Sequence, residues 1–386
     1  KHLARAWPQL PARSVSVLPD GTLAIALPRH GMVLDTIEPL RGLPVSQLDI
    51  TGQARVRDLS PLASLPLTQL AIGGVPADTA PVLGLRLRRL AAPDTALDDP
   101  SLLRAMPLEA LEMSISGVAT LAPLARLPLK ELRLRAADAL SDITALNLLP
   151  VEILALDAPP GGSAALTDLG PLRGRPLRDL SLANQRGVAN LAPLKGAPLA
   201  RVNLAGTGVA DLKPILGPAL KHLDIGDAAV DDLRQLQGAT VETLLVSPSR
   251  IRTGLDMLTR LPALRSVNGL APADFLRWVE LQRAILAANP DYAWNATAVY
   301  EGGKPVELRL PQRMRSLEPL RGLPLRLLVA SEGHFADLAP LAGMPLVHLE
   351  VQASRLRDIS ALADLTSLRV LHLAWCQIED IRPLAR

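Results

Sequence analysis

The feature that most constrains this chain is a phase. An apolar segment recurs in steps that are mostly 20 to 22 residues long and carries the same residue types at the same offsets. Residues 58–72 read DLSPLASLPLTQLAI, and residues 337–351 read DLAPLAGMPLVHLEV. A turn position is held by Asn190, Asp211 and Asp232, each 21 apart, and again by Asp337, Asp358 and Asp380, 21 and 22 apart. The working pattern is V-x-D-[LI]-x-P-L-x-x-x-P-L-x-x-L-x-[LI]. Its Pro-Leu-type steps fall at 39–40, 61–62, 123–124, 171–172, 193–194, 214–215, 319–320, 340–341 and 383–384. Copies at 145–146, 235–236, 257–258 and 361–362 keep the Leu and lose the Pro, and two weak copies lie near Pro81 and Pro100. A unit this short cannot bury its own apolar face, so such units must stack on one another.

Each part of the unit has a physical reason. Strand side chains alternate, so a Leu-x-Leu pair points two side chains to one face; examples are Leu48/Ile50, Leu132/Leu134, Leu180/Leu182, Leu223/Ile225, Leu349/Val351 and Leu371/Leu373. Asp at the turn can accept the free N–H groups of a following helical turn. Proline three residues on sits where a missing N–H costs little. The second proline, as in Leu65-Pro66-Leu67, ends that turn and feeds the next strand. The period predicts an α/β solenoid of the leucine-rich-repeat class. Its short parallel strands would line a concave face near 48–50, 70–72, 111–113, 132–134, 154–156, 180–182, 202–204 and 223–225, with short helical or 3₁₀ turns on the convex face. Composition agrees: residues of the hydrophobic class make up 48% of the chain but aromatics only 2%, as suits a narrow core of repeated aliphatic layers. The 35 prolines recur in phase, and are therefore structural rather than a sign of disorder. The place that such repeats usually give to Asn is held by Gln53, Ser116, Gln185, Thr207, Ser354 and Cys376, so no regular Asn ladder is expected.

The phase breaks after Leu261-Pro262. Residues 272–289 show a helix-like apolar face of Phe275, Leu276, Val279, Ile285 and Leu286, bounded by Pro272 and Pro290. Residues 292–310 read as a hairpin turning at Gly302-Gly303. Phe275, Trp278, Tyr292, Trp294 and Tyr300 gather here, out of four Trp, two Tyr and two Phe in the whole chain. This predicts a structural cap in which Trp278 and Trp294 are largely buried; a ligand cage is the alternative. Residues 14–27 resemble the second hairpin, and EPLRGLP occurs at both 38–44 and 318–324. The expected organisation is a truncated helix plus hairpin cap over 1–30, a first array over 31–270, a helix and hairpin junction over 271–305 and a second array over 306–386. A start at Lys1 in mid-helix and an uncapped end at Arg386 are what a fragment of a longer protein would show.

Candidate side chains come from the strand phase. The column following the first strand Leu reads Asp49, Ala71, Ala91, Glu112, Arg133, Ala155, Ser181, Asn203, Asp224 and Leu245, then Arg309, Val329, Glu350 and His372. Glu112, Glu131 and Arg133 are expected to meet as a charge-paired surface, and His222 and Asp224 to be surface residues flanking an inward Leu. His348, Glu350 and His372 are expected neighbours that resemble a ligand set, although strand spacing makes such neighbours common in any repeat sheet. The possible binding surface therefore comprises Glu112, Glu131, Arg133, Asn203, Asp224, Arg309, His348, Glu350 and His372, with no catalytic, cofactor or metal residue assigned and no cofactor expected. Cys376 is the one cysteine, which excludes an intrachain disulfide, and it is expected to tuck towards the core. Asn295-Ala296-Thr297 is a formal glycosylation sequon. With 41 basic and 38 acidic residues and no basic run, nucleic-acid binding is not expected. No apolar run is long enough to span a membrane.

The repeat DLAPLAGMPL at 337–346 resembles those of planctomycete-type bacterial Ser/Thr protein kinases with C-terminal leucine-rich repeats and of related repeat proteins. ALRSVNGLAPADFLRWVE at 263–280 is similar to the array ending of that family, and ILAANPDY at 285–292 to its Asn-Pro stretch before an array. The resemblance implies a sensor or scaffold region that binds a protein partner within a membrane-associated bacterial regulator, on either side of the membrane. No kinase machinery is carried over: a Gly-rich phosphate loop, a His-Arg-Asp loop and an Asp-Phe-Gly are all missing. The competing readings are an adhesin-like surface repeat protein and an enzyme using the concave face.

Overall fold

The computed structural model describes residues 2–28, 31–74, 80–96, 100–291, 296–310, 314–331, 333–352 and 355–385. Contacts divide the chain into two compact units, Lys1–Arg250 and Ile251–Arg386. The first opens with a short helix, α1 (His2–Ala6), and an antiparallel hairpin of β1 (Val15–Val17) and β2 (Leu23–Ala26). Parallel strands then add in chain order: β3 (Val45–Asp49), β4 (Gln69–Ala71), β5 (Arg89–Ala96), β6 (Ala110–Ser114), β7 (Glu131–Arg135), β8 (Ile153–Leu156), β9 (Asp179–Ser181), β10 (Arg201–Asn203), β11 (His222–Ile225) and β12 (Thr243–Val246). Each return connection carries a 3₁₀ turn, except that the weak copy near Pro81 closes as one α-helical turn, α2 (Ala80–Leu83). This is a leucine-rich-repeat solenoid, with the strands within one or two residues of the predicted places.

The layers explain the aliphatic composition. Leu177, Leu180, Leu182, Val188, Leu191 and Leu194 form one layer; Leu199, Val202, Leu204, Val209, Leu212 and Ile215 form the next; Leu220, Leu223, Ile225, Val230, Leu233 and Leu236 form a third, and none is more than 3% exposed. Burying each such side chain is worth roughly 1.5–3 kcal/mol. The backbone groups between layers pair in the ladder, which Leu182 and Leu204 extend beyond the strands by donating to the carbonyls of Asn203 and Asp224. The layers approach closely enough that a Cβ at Gly187 would lie 2.5 Å from the carbonyl oxygens of Ala164 and Leu166.

The turn residues do what their chemistry allows. Asp211, Asp337 and Asp358 each accept the N–H of the first residue of the following 3₁₀ turn, from Lys213 at 3.0 Å, Ala339 at 3.0 Å and Ser360 at 2.8 Å. Asn190 does the same with Ala192 at 2.9 Å, and Thr36, Thr120 and Ser316 do it with a hydroxyl. The Pro falls one residue later, at a position with no N–H to lose.

Three of the unusual residues in the Asn place, Gln53, Gln185 and Thr207, are buried anchors. Gln53 is fully buried, donates to the carbonyls of Pro28 and Met32 and accepts from the Leu34 N–H. Gln185 is fully buried and donates to Ala137 and Leu156, reaching back across layers. Thr207 is buried and donates to Leu204, whereas Ser116 is exposed. Cys376 is half-buried against the core, with Sγ 3.5 Å from the Ala374 carbonyl. Ser354 lies outside the described residues.

The second unit begins with a turn and the short β13 (Ser266–Val267), followed by helix α3 (Pro272–Ala288). A hairpin of β14 (Thr297–Glu301) and β15 (Lys304–Leu310) follows, and β16 (Leu327–Ala330), β17 (His348–Gln352) and β18 (Val370–Ala374) extend it in parallel. Helix α3 contacts the 3₁₀ turn at Leu255–Arg260 before it and the turn at Glu318–Leu320 after it. Its buried side chains are Phe275, Val279, Gln282 and Ile285. Trp278 departs from expectation, being only half-buried against the aliphatic core. It shares the inward face with Gln282 and Ile285, four and seven residues on, and its ring is only partly covered there. Tyr292, Trp294 and Asn295 lie outside the described residues.

Asn289 terminates this helix. It is fully buried, donates to the carbonyls of Ile285 at 2.9 Å and Ser316 at 3.1 Å, and accepts the N–H groups of Arg315 at 2.6 Å and Ser316 at 2.8 Å. One amide thereby joins the helix end to the first turn of the following repeats. Asn289→Ala strands these partners away from water and is expected to lower stability by about 2–3 kcal/mol. Asn190→Ala, which removes one exposed capping bond, costs about 1 kcal/mol, and Asn190→Asp is nearly neutral. Urea unfolding of the variants checks all three values.

Candidate functional site

The open strand face is built by alternation. In β6 and β7, Leu111, Met113, Leu132 and Leu134 point into the core, which leaves Glu112, Glu131 and Arg133 on the solvent side. The register aligns Asp49, Ala71, Ala91, Glu112, Arg133, Ala155, Ser181, Asn203, Asp224 and Leu245 across consecutive strands of the first unit. In the second unit it aligns Arg309, Val329, Glu350 and His372. These are the columns read from the repeat phase.

The first unit's face carries a charge network wider than the sequence indicated. Glu131 accepts from Arg133 at 2.8 Å on its own strand and from Arg89 at 2.9 Å, while Glu112 pairs with Arg135 at 2.7 Å. Arg89 and Arg135 were not among the candidates. Arg89 stands two strands from Glu131 and reaches over the small residue Ala110, which a single column cannot reveal. Further along, Arg201 pairs with Asp179 at 3.2 Å. Exposed pairs of this kind contribute little stability, typically about 0–1 kcal/mol, so their effect is to define a charge pattern.

Two shallow hollows lie on this face. One, of about 330 Å³, is lined by residues that include Asp49, Arg89, Glu112 and Glu131. The other, of about 460 Å³, is lined by residues that include Arg133, Ser181, Asn203, His222, Asp224 and Leu245. Several candidate polar groups are partly committed to the backbone: Asp49 accepts from Thr51, Asn203 from Ala205 and Asp224 from Gly226, each two residues on. These bonds fix the bend by which the chain leaves the strand, so the residues serve the fold as well as the surface.

The electrostatics differ along the face. Burial pushes the Glu131 carboxyl up, but hydrogen bonds and charges from Arg133 and Arg89 outweigh it and hold the group below its ordinary 4.5. Burial also pushes Asp224 up, and with only the Gly226 N–H opposing and Asp227 adding repulsion, it stays above its ordinary 3.8.

In the second unit, His348, Glu350 and Gln352 share the open side of β17, with Leu349 and Val351 in the core. Glu350 stands opposite His372 of β18, and the two imidazole rings are edge to face with centroids 5.7 Å apart. Gln352 donates its amide to the Glu350 carboxylate. The sequence also left Trp375 unremarked. It follows β18 with φ of 61° and is 87% exposed. The equivalent place after other strands is held by residues such as Gly52, Gly74, Asn184 and Gly206, which tolerate positive φ. A bulky ring there is strained and hydrophobically exposed at once.

Among solved structures the chain is similar to an internalin of Listeria monocytogenes, at 17% identity over 94% of this chain and 83% of that one, with a TM-score of 0.36. It is also similar to internalin C2 of the same organism, at 21% identity over 49% and 67% with a TM-score of 0.20. A third is a leucine-rich-repeat protein of Leptospira interrogans, at 14% identity over 92% and 96% with a TM-score of 0.33. No protein-family model and no curated protein matches the chain. The fold assignment rests on the chain's own strand register and turn geometry.

The two carboxyls give opposite pH signatures. With its folded pKa depressed, Glu131 contributes stability that is present above 4.5 and lost as pH falls through the folded value. With its folded pKa raised, Asp224 favours folding when protonated, and this contribution is lost as pH rises through the folded value. Carboxyl NMR titration should place Glu131 below 4.5 and Asp224 above 3.8. Arg133→Ala should move the Glu131 midpoint upward.

Proposed function

We propose that the open strand face is a protein-binding surface and that the chain is a non-catalytic sensor or scaffold region. One observation carries this reading: a continuous, in-register column from Asp49 to Leu245, with small residues between charged ones and two hollows in place of a deep cleft. Such a surface offers an extended partner many shallow contacts. The Arg and Glu pairs at Arg89, Glu131, Arg133, Glu112 and Arg135 give that partner's charges a fixed register. In the second unit, Trp375 by itself presents an exposed aromatic ring of a type enriched among interface anchors. Retaining a strained Trp where Gly or Asn would relax the turn is a local cost that a binding role accounts for.

The finer reading is a region of a bacterial Ser/Thr kinase or related regulator, arranged as helix, hairpin cap and repeat array in each of two modules. Its support is the resemblance of residues 263–280, 285–292 and 337–346 to such proteins. No described helix is long and apolar enough to cross a membrane. The sequence of the complete gene product tests the kinase association, through a Gly-rich loop, His-Arg-Asp and Asp-Phe-Gly in the same polypeptide.

The binding surface is tested by quantitative cross-linking capture from the source cells with three forms of the chain. An authentic partner is retained by the wild type and by a turn-side variant, Arg173→Glu with Lys195→Glu. It is lost with the strand-face variant Arg133→Glu with Arg201→Glu. Loss with the turn-side variant alone would place recognition on the other face. Trp375→Asn should raise the unfolding temperature and weaken partner binding together; an unchanged affinity would remove Trp375 from the interface.

A further inference from the structure

On the first unit's face Glu131 and Glu112 pair with guanidinium groups. Around Glu350 in the second unit the neighbouring side chains include two imidazoles. The registered neighbours of Glu350 are Val329 on one side and His372 on the other, and His348 projects from the same strand two residues earlier. The next residue along the column, Arg309, stands opposite Val329, two strand spacings or roughly 9.6 Å from Glu350. Donor atoms of His348, Glu350 and His372 all lie within 4.8 Å of one another.

We propose that His348, Glu350 and His372 form a binding site for a divalent first-row transition cation such as zinc, open to solvent on the His372 side. The donor set fits this class: two imidazole nitrogens and one carboxylate oxygen suit zinc, cobalt or nickel, whereas calcium and magnesium favour all-oxygen shells. The separations fit as well. Tetrahedral zinc with bonds of about 2.0–2.1 Å places its donors roughly 3.4 Å apart. The three side chains therefore need to draw in by about an ångström, within the reach of small torsional changes, with no strand moving. Glu350 is already oriented by the Gln352 amide, as carboxylate ligands are by their outer partners.

A separate observation points to a ligand. The Nε2 atom of His348 is shut off from water and has no hydrogen-bond partner among the described residues. Buried polar atoms are ordinarily paired, and an orphan of this kind calls for an explanation such as an ion. A cation held by this nitrogen supplies the missing partner. The rings meet edge to face at 76°, so they are not closed against each other by stacking. With three protein donors and His372 exposed, a fourth position remains for water or for a donor group of a bound protein.

The full chain tests this by titration calorimetry with Zn²⁺ and by visible absorption with Co²⁺, in a buffer that does not chelate metal. The expected result is one Zn²⁺ per chain and a cobalt ligand-field band that zinc displaces. His348→Gln, His372→Ala and Glu350→Gln should each weaken binding about tenfold or more and abolish the band. His334→Ala, an exposed histidine elsewhere in the unit, should leave both unchanged. Because His372 is exposed, His372→Ala keeps the test meaningful if a change at His348 disturbs packing; circular dichroism without metal checks that the variants are folded. No zinc heat and no cobalt band in the wild type would overturn the proposal. So would binding that survives His348→Gln combined with His372→Ala, or loss of binding in His334→Ala.

Discussion

Everything in this structure depends on the sideways burial of aliphatic columns between successive layers. A single repeat presents its Leu side chains to both neighbours and can cover neither set by itself. Leu182, Leu204 and Ile225 occupy one such column and are almost wholly removed from water only because the layers repeat in phase. The phase in turn requires each turn to bring the chain back at the same height. This is the work of the Asp or Asn side chain that accepts the first N–H of the 3₁₀ turn, and of the Pro-Leu step that follows. Side-chain hydrogen bonding and proline geometry thus set the spacing at which hydrophobic burial becomes possible.

The open face follows from the same constraint. If alternate strand residues are committed to the columns, the remaining ones must line up across the sheet in register. Their identity is free to vary, and it does. The first unit spends this freedom on acid–guanidinium pairs around Glu131 and Glu112, the second on imidazoles around Glu350. A stacked architecture therefore makes a surface whose chemistry can vary while the buried columns stay the same, which is what a recognition region needs.

The periodic part of this account was legible in the amino-acid sequence. Strand places, 3₁₀ turns and the order of the column from Asp49 to Leu245 follow from a phase that recurs many times, so errors at one repeat are corrected by the others; the helix at 272–288 and the hairpin after it were legible from an apolar face, bounding prolines and a Gly-Gly turn. What was not legible occurs once. Asn289 makes its hydrogen bonds to residues on both sides of the hairpin, a geometry that no local pattern encodes. Gln53 and Gln185 read as lapses from an Asn ladder, yet a longer amide reaches carbonyls of earlier layers. Arg89 entered the charge network because Ala110 is small enough to pass over, a fact about two strands at once. Trp278 was expected to be largely buried, and helical spacing does put it on the inward face, yet its ring is only partly covered, which spacing alone does not show. Trp375 gave no signal because positive φ is invisible in composition when the residue is not Gly or Asn.

The central claim is that alternate strand residues form one in-register, outward-facing column. Paired cysteines in a Cys376→Ser background, treated with a short thiol-to-thiol cross-linker, measure this directly. Ser181 with Asn203, and Asn203 with Asp224, are registered neighbours, one strand spacing or roughly 4.8 Å apart. The account predicts efficient linkage of both cysteine pairs in the folded chain and none between Asn203→Cys and Arg173→Cys, which lies on the turn side. Linkage of the strand-to-turn pair, or failure of both registered pairs with both thiols reactive, would contradict it.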